Sequence, residues 1–254
     1  MADHKAPQQI DEFYVGYLQM PDGHRRFISS FVIAMLVWSI GICLIIVITM
    51  RDPGYAKWNT GSMQSWTGTL IEQPYPMLIP DSNEPSALLV VSMGKRGAHE
   101  RLSPHYGKHV TLRGYELNRD GRHLIELSPE TNAIEAKQSP PRVFDEQLEH
   151  IEHALLTGEI VDGKCYLGAM KPGDGAGHQA CATLCIRGGL PPMFVADTPE
   201  GDYLYYLLTI DGSTQLPERI FSMIGRQVKL EGTISDKHGI RMLQTSVDDI
   251  VRIN

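Results

Sequence analysis

Residues 27–50 constrain this chain most, because they form a long run without a single charged side chain. The run reads FISSFVIAMLVWSIGICLIIVITM. At a rise of ~1.5 Å per residue, such a helix spans the roughly 30 Å hydrocarbon core of a bilayer with some tilt. A buried helix of a water-soluble protein rarely stays apolar on every face for so long. The sequence therefore predicts a single transmembrane helix over residues 27–50, preceded by a polar cytoplasmic tail at residues 1–26.

A cleaved signal peptide is the competing interpretation of the apolar run. Its apolar core has about 7–15 residues and precedes a small-residue cleavage site. Here the run is longer, and Arg51, Asp52 and Pro53 follow it, which favours an uncleaved anchor. Arg25 and Arg26 precede the run, so the positive-inside rule predicts a cytoplasmic N-terminus. We then expect an inner-membrane protein with one span, whose domains beyond residue 51 lie in the periplasm.

The charge balance bears on the partners of the exported part. The formal net charge of the 254-residue chain is −7, and no long run of one sign occurs. Binding to phosphate backbones needs a basic face, so we expect no nucleic-acid partner and disfavour an oligonucleotide-binding role. The expected partners are the bilayer, through residues 27–50, and subunits of a membrane protein complex.

After the apolar run, two parts of the chain repeat one pattern of short alternating segments. Residues 107–115 read GKHVTLRGY and residues 225–233 read GRQVKLEGT, and each is followed by a turn and a further alternating segment. Alternation with period two, bounded by Gly, Asp and Pro, is typical of β-strands. About five strands per half, with this glycine-bounded pattern, resemble OB-fold proteins. The sequence predicts a mainly β fold, with two tandem OB-like small β-barrels from an internal duplication, over residues 51–137 and 157–254.

The segment between the two predicted barrels, residues 138–156, is expected to be a linker. Ser139, Pro140 and Pro141 predict a stiff start, and residues 145–156 predict a short helix. The second half also contains an insertion, residues 165–190, that has no counterpart in the first half.

The insertion carries a cluster of potential metal ligands: Cys165, His178, Cys181 and Cys185. The last three are spaced i, i+3 and i+7, which places them on one face of a helix. The glycine-rich residues 171–177 predict a loop that returns this helix to Cys165. Three thiols and an imidazole are a common zinc ligand set, and thiolates also suit copper(I). These four residues therefore predict a zinc or copper site, with Asp162 as a candidate to orient the histidine.

A disulfide is the alternative interpretation of the same cysteines. Thiols outside the cytoplasm tend to oxidise, and a bond from Cys165 to Cys181 or Cys185 would stabilise the insertion by roughly 2–4 kcal/mol. It would leave one thiol unpaired and His178 without a role. Cys43 lies within the apolar run and is expected to be an apolar filler.

The region around the cluster resembles a domain of bacterial exported proteins. The shared pattern is Asp-x-x-Cys-Tyr, a glycine-containing loop, His-x-x-Cys-Ala-x-x-Cys and Gly-x-Pro. Its positions are occupied here by Asp162, Cys165, Tyr166, His178, Cys181, Ala182, Cys185, Gly189 and Pro191. The resemblance covers about the C-terminal hundred residues and implies an exported domain, without implying a mechanism. In architecture, an N-terminally anchored OB-like barrel is also similar to periplasmic haem chaperones.

Motifs of the common enzyme classes were not found in the sequence. It contains no Gly-x-Ser-x-Gly elbow, phosphate-binding loop, dinucleotide fingerprint or His-Glu-x-x-His, and no Cys-x-x-Cys-His haem attachment motif. We therefore expect a non-enzymatic role without haem or nucleotide. The first hypothesis is a membrane-anchored periplasmic accessory subunit of a respiratory or redox complex. The alternative is a periplasmic metallochaperone or thiol-redox protein that handles copper or zinc.

Overall fold

The computed structural model describes residues 20–49, 56–81, 86–142, 149–198 and 203–253. The chain divides into two compact units, Met1–Asp52 and Pro53–Asn254. Helix α1 belongs to the first unit, and all of the described β-strands belong to the second.

Helix α1 covers Asp22–Thr49. By length and composition it is long and apolar enough to cross a membrane. It begins earlier than the predicted residue 27, because a helix forms through its backbone hydrogen bonds and does not require apolar side chains. The N–H of Arg25 donates to the carbonyl of Pro21, so the charged residues before the apolar run already take part in the first turn. Met50 and residues 1–19 of the predicted tail lie outside the described residues.

The first barrel closes around five strands in the order β2-β3-β4-β6-β5. All of its strand pairs are antiparallel except β4 with β6, which is parallel. Two short strands, β1 and β7, add to β5 outside the closed path. A short helix, α2 (His99–Leu102), lies between β4 and β5. The strands of this region are β1 (Ala56–Trp58), β2 (Gln64–Ile71), β3 (Met77–Pro80), β4 (Leu88–Val91), β5 (His109–Arg119), β6 (Arg122–Leu127) and β7 (Ile134–Ala136).

The second barrel repeats the order and the directions of the first. It closes as β8-β9-β10-β12-β11, and only β10 with β12 is parallel. A 3-10 turn, Glu218–Ser222, lies between β10 and β11. The strands are β8 (Glu149–Asp162), β9 (Pro192–Asp197), β10 (Tyr203–Ile210), β11 (Gln227–Lys237) and β12 (Ile240–Arg252). The predicted mainly β fold with two small barrels is confirmed.

The predicted short helix over residues 145–156 is wrong where the structure describes it. Residues 149–156 form the first part of β8, and they pair with β11 from Asp236 to Leu230. Strand β8 of the second barrel therefore includes residues 149–156, whereas the sequence predicted that this barrel begins at residue 157. Pairing with a long neighbouring strand satisfies the backbone of this segment, and such tertiary pairing overrides a local helical preference. Residues 143–148 of the predicted linker lie outside the described residues.

The buried apolar residues of the two barrels form three clusters. One lies inside the first barrel and includes Leu70 and Val110, and a second lies inside the second barrel and includes Phe194 and Leu208. The third contains buried residues of both barrels, among them Leu89 and Leu207. We call this third cluster the shared core. Because burial of apolar surface is the main favourable term in folding, the shared core makes the two barrels stabilise one another.

Candidate metal centre

The cysteine and histidine residues are placed by the connection between β8 and β9. Strand β8 ends at Asp162, and Cys165 then starts a single wide helical turn, Cys165–Ala169. The predicted helix after the glycine loop is confirmed as α3 (Gln179–Arg187), which carries Cys181 and Cys185. His178 directly precedes α3 and accepts the N–H of Ala182 at its backbone carbonyl. The glycine loop thus brings the helix back against the end of β8.

The structure brings the four predicted residues into one cluster with Asp162. Cys165, His178 and Cys181 each offer a ligand atom within 4.8 Å of the others, and so do Asp162, Cys165 and Cys185. Cys165 belongs to both groups and therefore lies at the centre. Tetrahedral zinc with bonds of about 2.0–2.3 Å separates its ligand atoms by roughly 3.3–3.8 Å. The 4.8 Å limit that holds within each group is wider than this spacing, so a bound zinc ion would draw the ligand atoms closer together.

Asp162 contacts two residues of the cluster, and one of them is the histidine that the sequence analysis expected it to orient. It is fully buried. One carboxylate oxygen lies 3.1 Å from Nε2 of His178, and the other accepts the backbone N–H of Cys165 at 2.8 Å. A carboxylate that receives one ring nitrogen of a histidine fixes the orientation of the ring and strengthens the other nitrogen as a metal ligand. Asp162 thus holds the His178 ring and the backbone of Cys165 in place.

All of the cysteines are free thiols in the structure. The hydrogen bond between Cys165 and Cys185 raises the pKa of Cys165, with burial acting in the same direction, and it lowers the pKa of Cys185. Of the two sulfurs, Cys185 is therefore the one on which a thiolate is favoured, with Cys165 as the hydrogen-bond donor. Soft cations bind thiolates and not thiols, so Cys185 is the more readily available ligand of the pair.

The first barrel covers the cluster through the segment after β4. Nζ of Lys95 donates to Sγ of Cys181 at 3.3 Å, and this hydrogen bond raises the pKa of Lys95. The N–H of Gly97 donates to the carbonyl of Gly188 at 2.8 Å, at the end of α3. Cys181 is partly exposed whereas Cys165 and Cys185 are buried in the shared core. The cluster therefore lies at the contact between the two barrels, although all of its potential ligands come from the second barrel.

A buried ion pair beside the cluster was not predicted from the sequence. Lys164 precedes Cys165, and its Nζ lies 2.6 Å from Oε1 of Glu126 in the first barrel. The same ammonium donates to the backbone carbonyls of Ser92 and Gly94. The side chains of Lys164 and Glu126 are 5% and 1% exposed. No local pattern could indicate this pair, since its partners are far apart in the chain and only the docking of the barrels joins them.

Comparison of the chain with family models, with curated proteins and with solved structures finds no match.

Proposed function

We propose that this protein is a membrane-anchored accessory subunit on the periplasmic side, whose Cys165, His178, Cys181 and Cys185 hold one zinc or copper ion. The observation that carries the metal assignment is the convergence of these residues on a buried carboxylate, Asp162, at the edge of the shared core. Ligands fixed by an internal hydrogen-bond partner are typical of metal sites.

The position of the cluster favours a stabilising ion over a transported one. Two of its sulfurs lie in the shared core, and the first barrel contributes Lys95 and the segment up to Gly97 as a cover. An ion at this place would cross-link β8 to α3, on which the first barrel rests. Structural zinc sites have complete ligand sets and contribute directly to folding free energy. We expect the ion to hold the insertion in the shape that the first barrel recognises.

The test is the metal content of the full chain, purified in detergent without oxygen, together with a count of free thiols. We expect one zinc or copper ion per chain, lost in Cys181→Ser and retained in the matched control Cys43→Ser, which alters a cysteine of α1. Full metal content in Cys181→Ser would contradict the site. Absence of metal in the wild type, with two thiols missing from the count, would favour the disulfide.

A metallochaperone or thiol-redox protein is the second candidate. It is favoured by the partial exposure of Cys181, whose sulfur faces the exposed Lys95. A transfer protein exchanges its ion with a soluble chelator within minutes, whereas a structural ion leaves only when the second barrel opens. Chelator exchange measured against urea concentration separates them, because exchange that does not change with urea would favour transfer.

The accessory role and the membrane topology are proposed from the sequence and from α1. A helix of this length and composition suits an anchor, and Arg25 and Arg26 before its apolar part favour a cytoplasmic N-terminus. Native purification of the membrane-extracted protein tests the role: we expect other membrane subunits to co-purify, and isolation as a single chain would contradict it. A reporter that is active only in the periplasm, fused after residue 254, tests the topology. We expect an active fusion, and an inactive one would contradict the proposed periplasmic location of the barrels.

We also propose that the two barrels are OB-like and arose by duplication. Both have the same strand order and one parallel pair in the same place. Both also have a glycine at the same point of the first strand. Gly68 pairs with Pro80 and Gly158 pairs with Ala196, and a Cβ at either glycine would collide with the carbonyl oxygen of Ile79 or Val195, one residue before the partner. Such matched details support a common origin.

A further inference from the structure

A cavity of about 450 Å³ lies between the two barrels, and none of the four predicted metal ligands lines it. It is lined by corresponding parts of each barrel: the starts of β4 and β10, and the turns that join β5 to β6 and β11 to β12. These parts correspond because each barrel has one parallel strand pair at this place. Leu89 of β4 pairs with Leu124 of β6 in the first barrel, and Leu207 of β10 pairs with Met242 of β12 in the second. Its volume is in the range of small-molecule sites, which is about 300–1,000 Å³.

Part of the wall of the cavity is apolar. Leu89 and Leu207 come from corresponding strands, Leu167 comes from the helical turn after Cys165, and Met193 comes from β9. All four side chains belong to the shared core and are at most 5% exposed. A short hydrocarbon chain that enters the cavity would have its own apolar surface removed from water.

Two guanidinium groups also line the cavity. Arg122 is half-buried and Arg241 is exposed, and neither forms an ion pair with a carboxylate among the described residues. Burial lowers the pKa of Arg122, and the positive charge of Arg241 acts in the same direction. An anion between the two guanidinium groups would reduce the repulsion between them, adding to the effect of the Asp120 carboxylate, which acts on the pKa of Arg122 in the opposite direction to Arg241.

The other polar groups of the wall are largely occupied. Tyr205 donates to the carboxylate of Asp120 at 2.6 Å, a bond that joins the two barrels, and the guanidinium of Arg122 stacks 4.1 Å above the ring of Tyr205. His123 lies 2.6 Å from Glu116. Asp236 is the second carboxylate of the wall and pairs across the turn with Arg241 in strand register, without an ion pair between their side chains. The stack fixes the guanidinium plane of Arg122, so it is preorganised to receive a planar carboxylate.

We propose that the cavity between the barrels binds a small organic anion, with its carboxylate at Arg122 and Arg241 and a short apolar body against Leu89, Leu167, Met193 and Leu207. The predicted metal ligands do not line this site, and it shares with the metal centre only the helical turn that carries both Cys165 and Leu167.

The test measures binding of hexanoate and of hexanamide to the full chain in detergent, by calorimetry at low ionic strength. The two probes have the same size and differ in charge. A charge-assisted pair of hydrogen bonds predicts that hexanoate binds at least about tenfold more tightly. Arg122→Gln should weaken hexanoate binding by about tenfold or more and leave hexanamide unchanged. The matched control Arg252→Gln, an exposed arginine of β12 outside the cavity, should change neither.

Arg241→Gln is the second variant, because an exposed residue can be replaced without risk to the fold. It should also weaken hexanoate binding. The proposal fails if the wild type shows no saturable hexanoate binding in the millimolar range, or if hexanoate and hexanamide bind equally. It also fails if both cavity variants bind hexanoate as Arg252→Gln does.

Discussion

Replacing Lys164 by methionine should weaken the contact between the two barrels and lower the free energy of unfolding. The substitution removes one partner of the buried ion pair that joins the barrels. The methionine side chain keeps most of the volume of the lysine stem and loses only the ammonium group. Glu126 would then keep a carboxylate that is 1% exposed, with Oε1 deprived of its partner at 2.6 Å. Its other oxygen, Oε2, already has no hydrogen-bond partner.

The expected cost follows from the burial of the pair. At 2.6 Å and an effective dielectric constant of about 20, the attraction between the two charges is about 6 kcal/mol. Much of this is offset by the cost of removing both groups from water. Removing one partner of such a pair typically costs about 3–5 kcal/mol, since the other charge stays buried without compensation. Lys164→Met should lower the free energy of unfolding by this amount.

The measurement is urea unfolding of the full chain in detergent, followed by tryptophan fluorescence. Trp58 is a suitable reporter, because its ring centroid lies 5.9 Å from Nζ of Lys164. The matched control is Lys229→Met, which removes an exposed lysine of β11 and should change stability by less than about 0.5 kcal/mol. In the double variant Lys164→Met with Glu126→Gln, the loss should be smaller than in Lys164→Met alone.

Equal unfolding midpoints for Lys164→Met and Lys229→Met would refute this reasoning. That result would mean that the carboxylate of Glu126 reaches water when its partner is removed. The barrels would then be only loosely associated in solution, and the cover over the cysteine cluster would not be rigid.

Three further predictions concern the cluster and the glycines. Asp162→Asn should keep the ligands but weaken metal affinity by about 10- to 100-fold, measured by chelator competition, because His178 loses its orienting carboxylate; unchanged affinity would exclude that role. Gly188→Ala should destabilise the chain by about 1–3 kcal/mol in urea unfolding, because its Cβ would collide with the carbonyl oxygen of Lys95. The control Gly177→Ala should be nearly neutral, because no neighbouring atom lies near its Cβ. Equal unfolding midpoints for the two variants would contradict the close approach of Gly188 to Lys95. Gly68→Ala and Gly158→Ala should each lower the free energy of unfolding by a similar amount, and by more than Gly61→Ala, whose Cβ meets no neighbouring atom. If only one of the first two variants is destabilised, the two barrels do not close in the same way at these glycines.

The strand pattern and the helix of the cluster could be predicted because both depend on local periodicity. Alternation in residues 107–115 and 225–233 corresponds to the starts of β5 and β11, and the spacing of Cys181 and Cys185 corresponds to α3. Residues 149–156 show where local periodicity fails. Their spacing suits a helix, but they form β8 because β11 offers a continuous set of backbone partners.

The sequence by itself determined that the chain has an apolar helix, two sets of alternating strands and a set of sulfur and imidazole ligands in one insertion. Each of these properties depends on residues that are close together along the chain. Only the tertiary structure decided that the first barrel covers the ligands with Lys95, that Lys164 meets Glu126, and that a cavity with two arginines lies between the barrels. These contacts join residues that are distant in sequence, and they depend on how two closed barrels pack, which no local pattern specifies.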